Sequence, residues 1–505
     1  MNVPGRARRL IQGWSANAVQ TTLGIAQQVL LVPVFLRFWT SDLLAAWLVI
    51  YAAASIVFVA DAGLQLRAIN RFLAFRSSAD PDGRTASFHA GMQRIYFAVA
   101  AGVCLLLLIG ARLLPPSSTL GFQAVSDFDA AFLVMTIGTA LTLPSNLASG
   151  LYRARGKYGR AVWLQNCAMA LALPAQLFAI LAVGTLLSVA VAYITIQVAV
   201  ALYLVAIEAP RLFPFLRRGR GRQHWRWSIG QFGPAFPFAV AGITELALLN
   251  APVLLVSALV SDRIAVAQWA LTRVAAGLLR ALCVQVTLPV AAELGYDHAT
   301  GDRERTRRLY ARGSALVTAL ASLIVSGLLP FWPDFFDLWT RGSIPYNAPL
   351  TITLLVGAGI VAPSILALGF ANYSNRGDLL ARSKGLQLVV FLGLSLVLIR
   401  ALGPLGAAIA LVASDLSIQF GLLALTIMRE TLQRPFQHVA FLALLAAGIL
   451  LPGWGIGVVV ASLVPGAGLS HFVGECAIWL ALLSLIASPL ASRGVRERLA
   501  GSIPG

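Results

Sequence analysis

Long apolar runs without charge alternate with short polar segments along the whole chain. Residues 10–36, 130–152 and 313–333 contain no Asp, Glu, Lys or Arg. A helix needs about 20 apolar residues to cross the hydrocarbon core of a bilayer, so each run is long enough to span a membrane. Transmembrane strands would instead alternate in polarity over segments of about ten residues. The continuous runs therefore predict helices.

Followed to the end of the chain, the same pattern predicts fourteen membrane-spanning helices. Residues 161–207 are long enough for two of them, and Val183-Gly184-Thr185 marks the break. The predicted fold class is an all-α polytopic membrane protein. The predicted spans 1 to 14 cover approximately residues 14–35, 44–66, 93–113, 129–150, 163–183, 187–208, 235–258, 265–290, 313–332, 348–371, 384–401, 405–428, 438–460 and 472–491.

The two halves of the chain resemble each other at offsets of 213 to 222 residues. Such a repeat indicates a duplication, and an even number of spans in each copy makes the copies parallel. The predicted organisation is a first lobe of spans 1–6 (1–208), a basic linker (209–231), a second lobe of spans 7–12 (232–428) and two extra helices with a tail (429–505). Matching pairs include Trp14-Ser15 with Trp227-Ser228, Pro144-Ser145 with Pro363-Ser364, and Ile196-Gln197 with Ile418-Gln419.

Composition supports a membrane protein. Of 505 residues, 58% are hydrophobic and 11% are charged, and the mean hydropathy is +0.81. A soluble domain is about 25% charged, so a disordered chain, a collagen-like chain and an ordinary soluble enzyme are excluded.

Basic residues are distributed unevenly between the two sides of the predicted membrane. There are 38 Lys and Arg against 20 Asp and Glu. Thirty basic residues, including Lys384 in the segment 373–384, fall on the side of the N-terminus, and five fall on the other. Cytoplasmic loops carry such an excess. Both termini are therefore expected in the cytoplasm.

Other motifs add little chemistry. The linker mixes arginines with His224, Trp225 and Trp227. Nucleic-acid binding would suit that composition, but a topology signal touching anionic lipid is preferred. The four cysteines lie far apart in apolar runs, and the five histidines do not group at metal-ligand spacing. No Walker A, H-E-x-x-H or G-x-S-x-G pattern occurs, so no catalytic residue, metal or cofactor is expected.

Span 1 carries a polar face. Asn17, Gln20 and Gln27 lie at helical spacing on one side of it. Amide side chains in hydrocarbon are expected to face a partner or a cavity. Two interpretations stay open: hydrogen bonds between helices, and the lining of a substrate-binding cavity.

Span 8 contains the least expected charges. Arg273 and Arg280 are seven residues apart, on one face of the helix. An arginine at the centre of a membrane helix costs about 2.5–3.5 kcal/mol on insertion scales, so two on one stripe need compensation. A structural ion pair, such as Glu245 with Arg273, is one explanation. An anionic ligand is the other, because the guanidinium fork donates two hydrogen bonds to phosphate.

Further polar residues in or beside the spans are candidates for coupling, gating or binding. Glu245 and Asn250 lie in span 7 and Asp415 in span 12. Asp61 and Arg67 lie at the cytoplasmic end of span 2, where a structural role at the helix end is the preferred interpretation.

A series of short motifs runs in order along nearly the whole chain. The motifs are Phe35-Leu-Arg-Phe, Ala46-Trp47, Val59-Ala-Asp61-Ala-Gly63-Leu, Asn70-Arg71, Arg273, Leu288-Pro289-Val-Ala, Leu338-Trp-Thr-Arg-Gly-Ser-Ile and Gly403-Pro-Leu-Gly406. In these residues the chain resembles polysaccharide flippases of the multidrug/oligosaccharidyl-lipid/polysaccharide exporter (MOP) superfamily, and the resemblance implies a location in the bacterial inner membrane. Members often carry an acid late in span 7, where this chain has Asn250, and that argues against a simple cation site there.

The resemblance implies two six-helix lobes around a central cavity and alternating access to the two sides of the membrane. It implies a flippase for a polyprenyl-diphosphate-linked oligosaccharide, acting in the biosynthesis of surface polysaccharide such as lipopolysaccharide or exopolysaccharide. Arg273 and Arg280 would meet the diphosphate. A polymerase and glycosyltransferases would be partners, and the flippase would act as a monomer.

Two other functions are weighed against this one. A cation-coupled multidrug antiporter on the same fold would use Glu245 or Asp415, but the arginines of span 8 oppose a cationic drug. A membrane enzyme, such as a polymerase, would need a sizeable exterior loop, and the exterior loops here are short.

Overall fold

The computed structural model describes residues 6–75, 80, 82–218, 225–374, 376–464, 466 and 468–488. Within these stretches every regular element is a helix. Thirteen of the described helices are long and apolar enough to cross a membrane, and a bent pair, Ala348–Val361 with Pro363–Tyr373, makes a fourteenth if it counts as one span. The prediction of an all-α polytopic membrane protein is confirmed.

Internal contacts divide the chain into two compact units. Unit 1 is Met1–Arg263 and unit 2 is Ile264–Gly505. The spans of unit 1 are Arg6–Phe38 (span 1), Ser41–Ile56 with the 3-10 turn Val57–Asp61 (2), Arg84–Leu113 (3), Phe128–Thr142 with Pro144–Ala154 (4), Tyr158–Ala182 (5), Leu186–Leu202 with the π-helix Tyr203–Glu208 and Ala209–Leu212 (6), and Phe232–Leu259 (7). Its short helices are Leu64–Ala74, Pro116–Leu120, Pro214–Arg218 and Trp225–Ile229.

Unit 2 holds the remaining spans. They are Arg263–Thr300 (span 8), Arg303–Thr340 (9), Ala348–Val361 with Pro363–Tyr373 (10), Gly377–Leu402 (11), Pro404–Ser414 with the π-helix Asp415–Ala424 and Leu425–Thr431 (12), Pro435–Leu463 (13) and Leu469–Ala487 (14). Spans 8 and 9 have 38 residues each and are longer than predicted. At 1.5 Å per residue they measure about 57 Å, so their ends extend beyond a hydrocarbon core of about 30 Å.

Span 7 packs within unit 1, against span 2 and the short helix Leu64–Ala74. The chain turns between those two elements at Ala62 and Gly63, both with positive φ. A Cβ on Gly63 would lie 2.6 Å from the carbonyl oxygen of Ala235 in span 7, so the close approach requires glycine. The sequence analysis predicted that the linker 209–231 separates the two lobes, and that division into domains stays a prediction.

The two extra helices of the sequence prediction pack on span 9. The Trp479 indole donates to the carbonyl oxygen of Gly453 at 2.8 Å, which joins span 14 to span 13. Gly327 of span 9 lies directly under the Trp479 ring, and Gly453 lies against Ser326. Spans 13 and 14 are thus part of the core of unit 2.

Helix breaks recur in the two halves at one offset. Span 4 breaks before Pro144 and span 10 before Pro363, 219 residues later, and span 10 bends there by 49°. Proline lacks an amide hydrogen and clashes with the preceding turn, which accounts for the breaks. A π-helix lies in the last span of each predicted copy, Tyr203–Glu208 and Asp415–Ala424.

Helix contacts fix the register of the two copies. A Cβ on Gly138 of span 4 would meet Ile194 of span 6, and one on Gly357 of span 10 would meet Val412 of span 12. The offsets are therefore 219 for spans 4 and 10 and 218 for spans 6 and 12. Gln197 then corresponds to Asp415, and the sequence match of Ile196-Gln197 with Ile418-Gln419 is four residues out of register.

Candidate functional site

A cluster of polar side chains is buried in unit 2, where spans 8, 10, 11 and 12 meet. Lys384, only 1% exposed, donates to the side-chain oxygens of Gln387 at 3.0 Å and Gln419 at 2.7 Å. Gln387 in turn donates to Asp415, and Gln419 donates to the hydroxyl of Ser364 at 2.8 Å. The Gln387 amide thus joins the Lys384 ammonium to the Asp415 carboxylate, and the Gln419 amide joins the same ammonium to the Ser364 hydroxyl.

Arg280 lies at the edge of this cluster. It stands 4.0 Å from a carboxylate oxygen of Asp415 and 3.5 Å from the side-chain oxygen of Gln419. Its side chain is 35% exposed, and these contacts are long for a guanidinium. The named charged members of the cluster are two cations, Arg280 and Lys384, and one carboxylate, Asp415. Of the two cations, Arg280 is the one at the exposed edge.

Arg273 is half-buried on span 8, two helical turns before Arg280, and Trp269 is fully buried one turn earlier. The face of span 8 that carries the two arginines therefore has the buried Trp269 at one end and Arg280, next to the polar cluster, at the other.

The predicted residues of span 7 lie in unit 1. Asn250 is buried and donates to the carbonyl oxygen of Leu246, one turn back on its own helix. Glu245 is half-buried. Because Glu245 and Arg273 belong to different units, their ion pair stays a prediction.

Asp61 forms a second polar cluster, in unit 1. It accepts hydrogen bonds from the Tyr96 hydroxyl at 2.5 Å, from the Asn146 amide at 3.3 Å and from the backbone amide of Gln65 at 3.2 Å. The last contact caps the helix Leu64–Ala74, and the other two tie span 2 to spans 3 and 4. This geometry favours a structural role for Asp61.

Arg67, predicted to act with Asp61, lies on the same short helix. Its Nε is buried and has no hydrogen-bond partner among the described residues. Burial, with a smaller contribution from Arg71, lowers the pKa of Arg67.

The polar face of span 1 contacts span 5. Gln20 donates to the side-chain oxygen of Gln165 at 3.5 Å, and Asn166 donates to the carbonyl oxygen of Ala16 at 2.9 Å. Asn17 accepts from Thr21 through its backbone, and Gln27 is half-buried. The hydrogen bond to span 5 explains why an amide at Gln20 is tolerated in the membrane. Its partner Gln165 also lines a cavity.

That cavity lies within unit 1, among spans 2, 4, 5 and 6, and has a volume of about 180 Å³. Its described lining carries hydroxyl and amide groups and no charged side chain. Interhelical hydrogen bonding and a place in a cavity lining were the two interpretations open for amides in the spans, and Gln165 of span 5 has both, since it accepts from Gln20 and lines this cavity.

Lys384 is the main residue that sequence reasoning missed. Its position close to the predicted start of span 11 placed it among the cytoplasmic charges. The helix begins at Gly377, so Lys384 is already two turns inside. The signal available in the sequence was Gln387, which lies one turn further on the same face.

Among the described residues, no three His, Cys, Asp or Glu side chains group closely enough to hold a metal ion.

No protein-family model and no curated protein matches this sequence. Solved structures do match. The lipid II flippase MurJ, in an inward-closed conformation, superposes with a TM-score of 0.71 at 12% identity over 95% of this chain and 100% of that one. An inward-facing multidrug resistance MATE family transporter of the MOP superfamily gives 0.63 at 14% identity over 84% of this chain and 95% of that one.

A third match is a MOP superfamily transporter from Pyrococcus furiosus, whose binding pocket is described as having reverse polarity. It gives a TM-score of 0.56 at 15% identity over 84% of this chain and 94% of that one. At such identities the likeness establishes the fold. The chain therefore shares the fold of these solved transporter structures.

Proposed function

We propose that this chain is a flippase that moves a polyprenyl-diphosphate-linked oligosaccharide across the bacterial inner membrane by alternating access. The carrying observation is the positive charge inside unit 2, where Arg280 and Lys384 outnumber Asp415, with Arg273 two turns away on span 8. Excess positive charge in hydrocarbon is costly, and an anionic headgroup offsets that cost. The transported product would feed surface polysaccharide biosynthesis.

Arg280 supports the phosphate assignment by its geometry. Its side chain is 35% exposed at the edge of the cluster, so a phosphate oxygen can approach its guanidinium and form a charge-assisted bond. Lys384 is held by two amides and supplies fixed positive potential behind it. The polyprenyl chain would remain among the membrane lipids while the headgroup moves.

A cation-coupled multidrug antiporter is the second candidate, because MATE transporters share the fold. It would need a carboxylate available to a proton, a metal cation or a cationic drug. Asp415, predicted for that role, accepts from Gln387 and faces Arg280. An acid that internal cations already neutralise is a poor receptor for another cation, which favours the flippase.

The expected setting follows from the charge distribution. Thirty basic residues on the N-terminal side against five on the other favour cytoplasmic termini. A single chain with two units would suffice for alternating access, with a polymerase and glycosyltransferases supplying and consuming the substrate.

The test uses purified full-length protein in lipid nanodiscs. Native mass spectrometry would measure retention of undecaprenyl diphosphate against uncharged undecaprenol. Arg280→Gln and Lys384→Gln should each weaken retention of the diphosphate by about 10- to 100-fold, because a charge-assisted hydrogen bond contributes about 1.5–3 kcal/mol. Arg94→Gln, at an exposed arginine of span 3, is the matched control.

Undecaprenol should be retained equally by all these variants. Equal retention of the diphosphate by the wild type, Arg280→Gln and Lys384→Gln would refute the anion site. Loss of surface polysaccharide in a strain carrying Arg273→Ala or Arg280→Ala, with normal membrane insertion, is the corresponding result in cells.

A further inference from the structure

The cavity of unit 1 occupies the position that the charged cluster fills in unit 2. With the offset of 219 fixed by the helix breaks, Ser145, Gln165 and Ala168 correspond to Ser364, Lys384 and Gln387. With the offset of 218 fixed by the glycine contacts, Gln197 and Ala201 correspond to Asp415 and Gln419. All five unit 1 residues line the cavity.

The substitutions between the copies explain why one position is filled and the other is open. Two glutamines of unit 2 are alanines in unit 1, which removes the side chains that bridge the cluster. The lysine and the aspartate are replaced by glutamines, which removes both charges. The result is a cavity of about 180 Å³, enough for about six water molecules at about 30 Å³ each.

One donor in this cavity is unused. The Nε2 of Gln197 is buried and has no hydrogen-bond partner among the described residues. A buried donor without a partner is destabilising and is rare in native proteins unless water or a ligand satisfies it. Gln197 therefore points to an acceptor that enters the cavity.

The rest of the lining defines the chemistry of that acceptor. Hydroxyls of Thr139 and Ser145 and amides of Asn146 and Gln165 provide donors and acceptors without charge. The Tyr51 and Tyr193 rings, 5.9 Å apart, add aromatic surface. An ion would need compensating charge, which the described lining does not supply. A ligand with neutral hydroxyl groups around an apolar ring face would match both the uncharged hydrogen-bonding groups and the aromatic rings of the lining.

We infer that this cavity binds an uncharged sugar residue. The inference rests on the proposed function and adds to it, since the sugar would be part of the transported headgroup. It places sugar recognition inside unit 1, at the site equivalent to the charged cluster of unit 2. The duplicated fold then provides a neutral pocket in one copy and a positive one in the other.

Saturation-transfer NMR on the full-length protein in nanodiscs tests this inference. The probes are free glucose, galactose and N-acetylglucosamine at millimolar concentration. At least one should show saturation transfer with the wild type. Gln197→Leu, which keeps the side-chain size and removes the amide, should weaken binding by about tenfold.

Two further variants make the test specific. Ala168→Gln restores the side chain of the unit 2 copy and should abolish the signal by filling the cavity. Gln176→Leu is the matched control, because Gln176 is a buried glutamine of span 5 that does not line the cavity. It should leave the signal unchanged. Thermal unfolding of each variant shows that it is folded, and Gln197→Leu carries the test if Ala168→Gln does not fold.

The outcomes separate this inference from the proposed function. If none of the sugars shows saturation transfer while undecaprenyl diphosphate is retained, the cavity assignment fails and the flippase stands. If a sugar signal is equal in the wild type, Gln197→Leu and Ala168→Gln, sugars bind elsewhere and the assignment is overturned. If sugars bind through Gln197 but the diphosphate is not retained, the flippase fails and the sugar is no longer part of its headgroup.

Discussion

At the scale of single residues, the buried cluster of unit 2 is held together by amides rather than by direct ion pairs. Gln387 accepts from Lys384 and donates to Asp415, and Gln419 accepts from Lys384 and donates to Ser364, so each amide uses both of its ends. Buried charges are tolerated when every hydrogen-bonding group is satisfied. Removing the Asp415 charge alone would leave two cations without their carboxylate, and removing Lys384 alone would leave two buried amide oxygens without their donor.

This argument predicts a strongly non-additive pair of substitutions. Lys384→Met should destabilise the protein by about 3–5 kcal/mol, the usual cost of breaking a buried charge pair from one side. Asp415→Asn should also destabilise it, because the two cations would lose their carboxylate. The double variant should cost less than the sum. Equilibrium unfolding in detergent measures all three, and strict additivity would show that the Gln387 amide does not couple the charges.

Sequence reasoning singled out residues that contrast with their surroundings. Arg280 and Asp415 stand out in apolar runs, and the structure brings them to 4.0 Å. It failed where the informative residue is small. Ala168 and Ala201 help to open the cavity of unit 1, yet an alanine in an apolar run carries no signal. A cavity is a property of what several helices leave unfilled, so a single sequence does not display it.

At the scale of helices, close packing depends on glycine at equivalent positions. Gly138 of span 4 lies directly against Ile194, and Gly357 of span 10 lies against Val412. Small residues let membrane helices approach closely, and van der Waals packing then holds them together. The sequence predicted these helices and the break at Val183-Gly184-Thr185 between spans 5 and 6, but it gave spans 4 and 10 as continuous and so missed the breaks before Pro144 and Pro363. It ended span 8 too early and made span 9 too short at both ends, because charged residues lie in the extensions beyond the apolar runs.

The glycine contacts predict a contrast between two alanine substitutions. A Cβ on Gly138 would lie 2.1 Å from a side-chain carbon of Ile194, so Gly138→Ala should destabilise unit 1 by about 1–3 kcal/mol through overpacking. Gly102→Ala in span 3 is the control, since nothing lies within 4 Å of its Cβ. It should be neutral or slightly stabilising, because alanine favours the helix. Equal melting temperatures for the two variants would contradict the packing argument.

At the scale of the whole molecule, the two predicted copies share their helix geometry but differ in the charge of the residues at equivalent positions. Breaks, π-helices and glycine contacts recur in both units. Each copy also has an Arg–Glu ion pair between the start of its fifth span and its last span, Arg160–Glu208 and Arg376–Glu430, although these residues lie three and four positions out of the register that the glycine contacts give. The sequence predicted the repeat from short motifs. It did not predict that one copy would enclose a neutral cavity and the other a charged cluster, because that difference depends on a register that only helix contacts fix.

The recurring Arg–Glu pairs also bear on orientation. If the copies are parallel, both pairs lie on one side of the membrane, the side that carries thirty of the basic residues. The positive-inside rule makes that side cytoplasmic.

Reporter fusions test this orientation. Alkaline phosphatase, which is active only outside the cytoplasm, should be active after Gly342, between spans 9 and 10, and inactive after Thr431, between spans 12 and 13. Green fluorescent protein at the same two positions is the control, and it should give the opposite result. Activity of the phosphatase after Thr431 and fluorescence after Gly342 would invert the topology. The basic ends of the spans would then face the exterior, and cytoplasmic loading of the proposed diphosphate substrate would have to begin at the other end of both units.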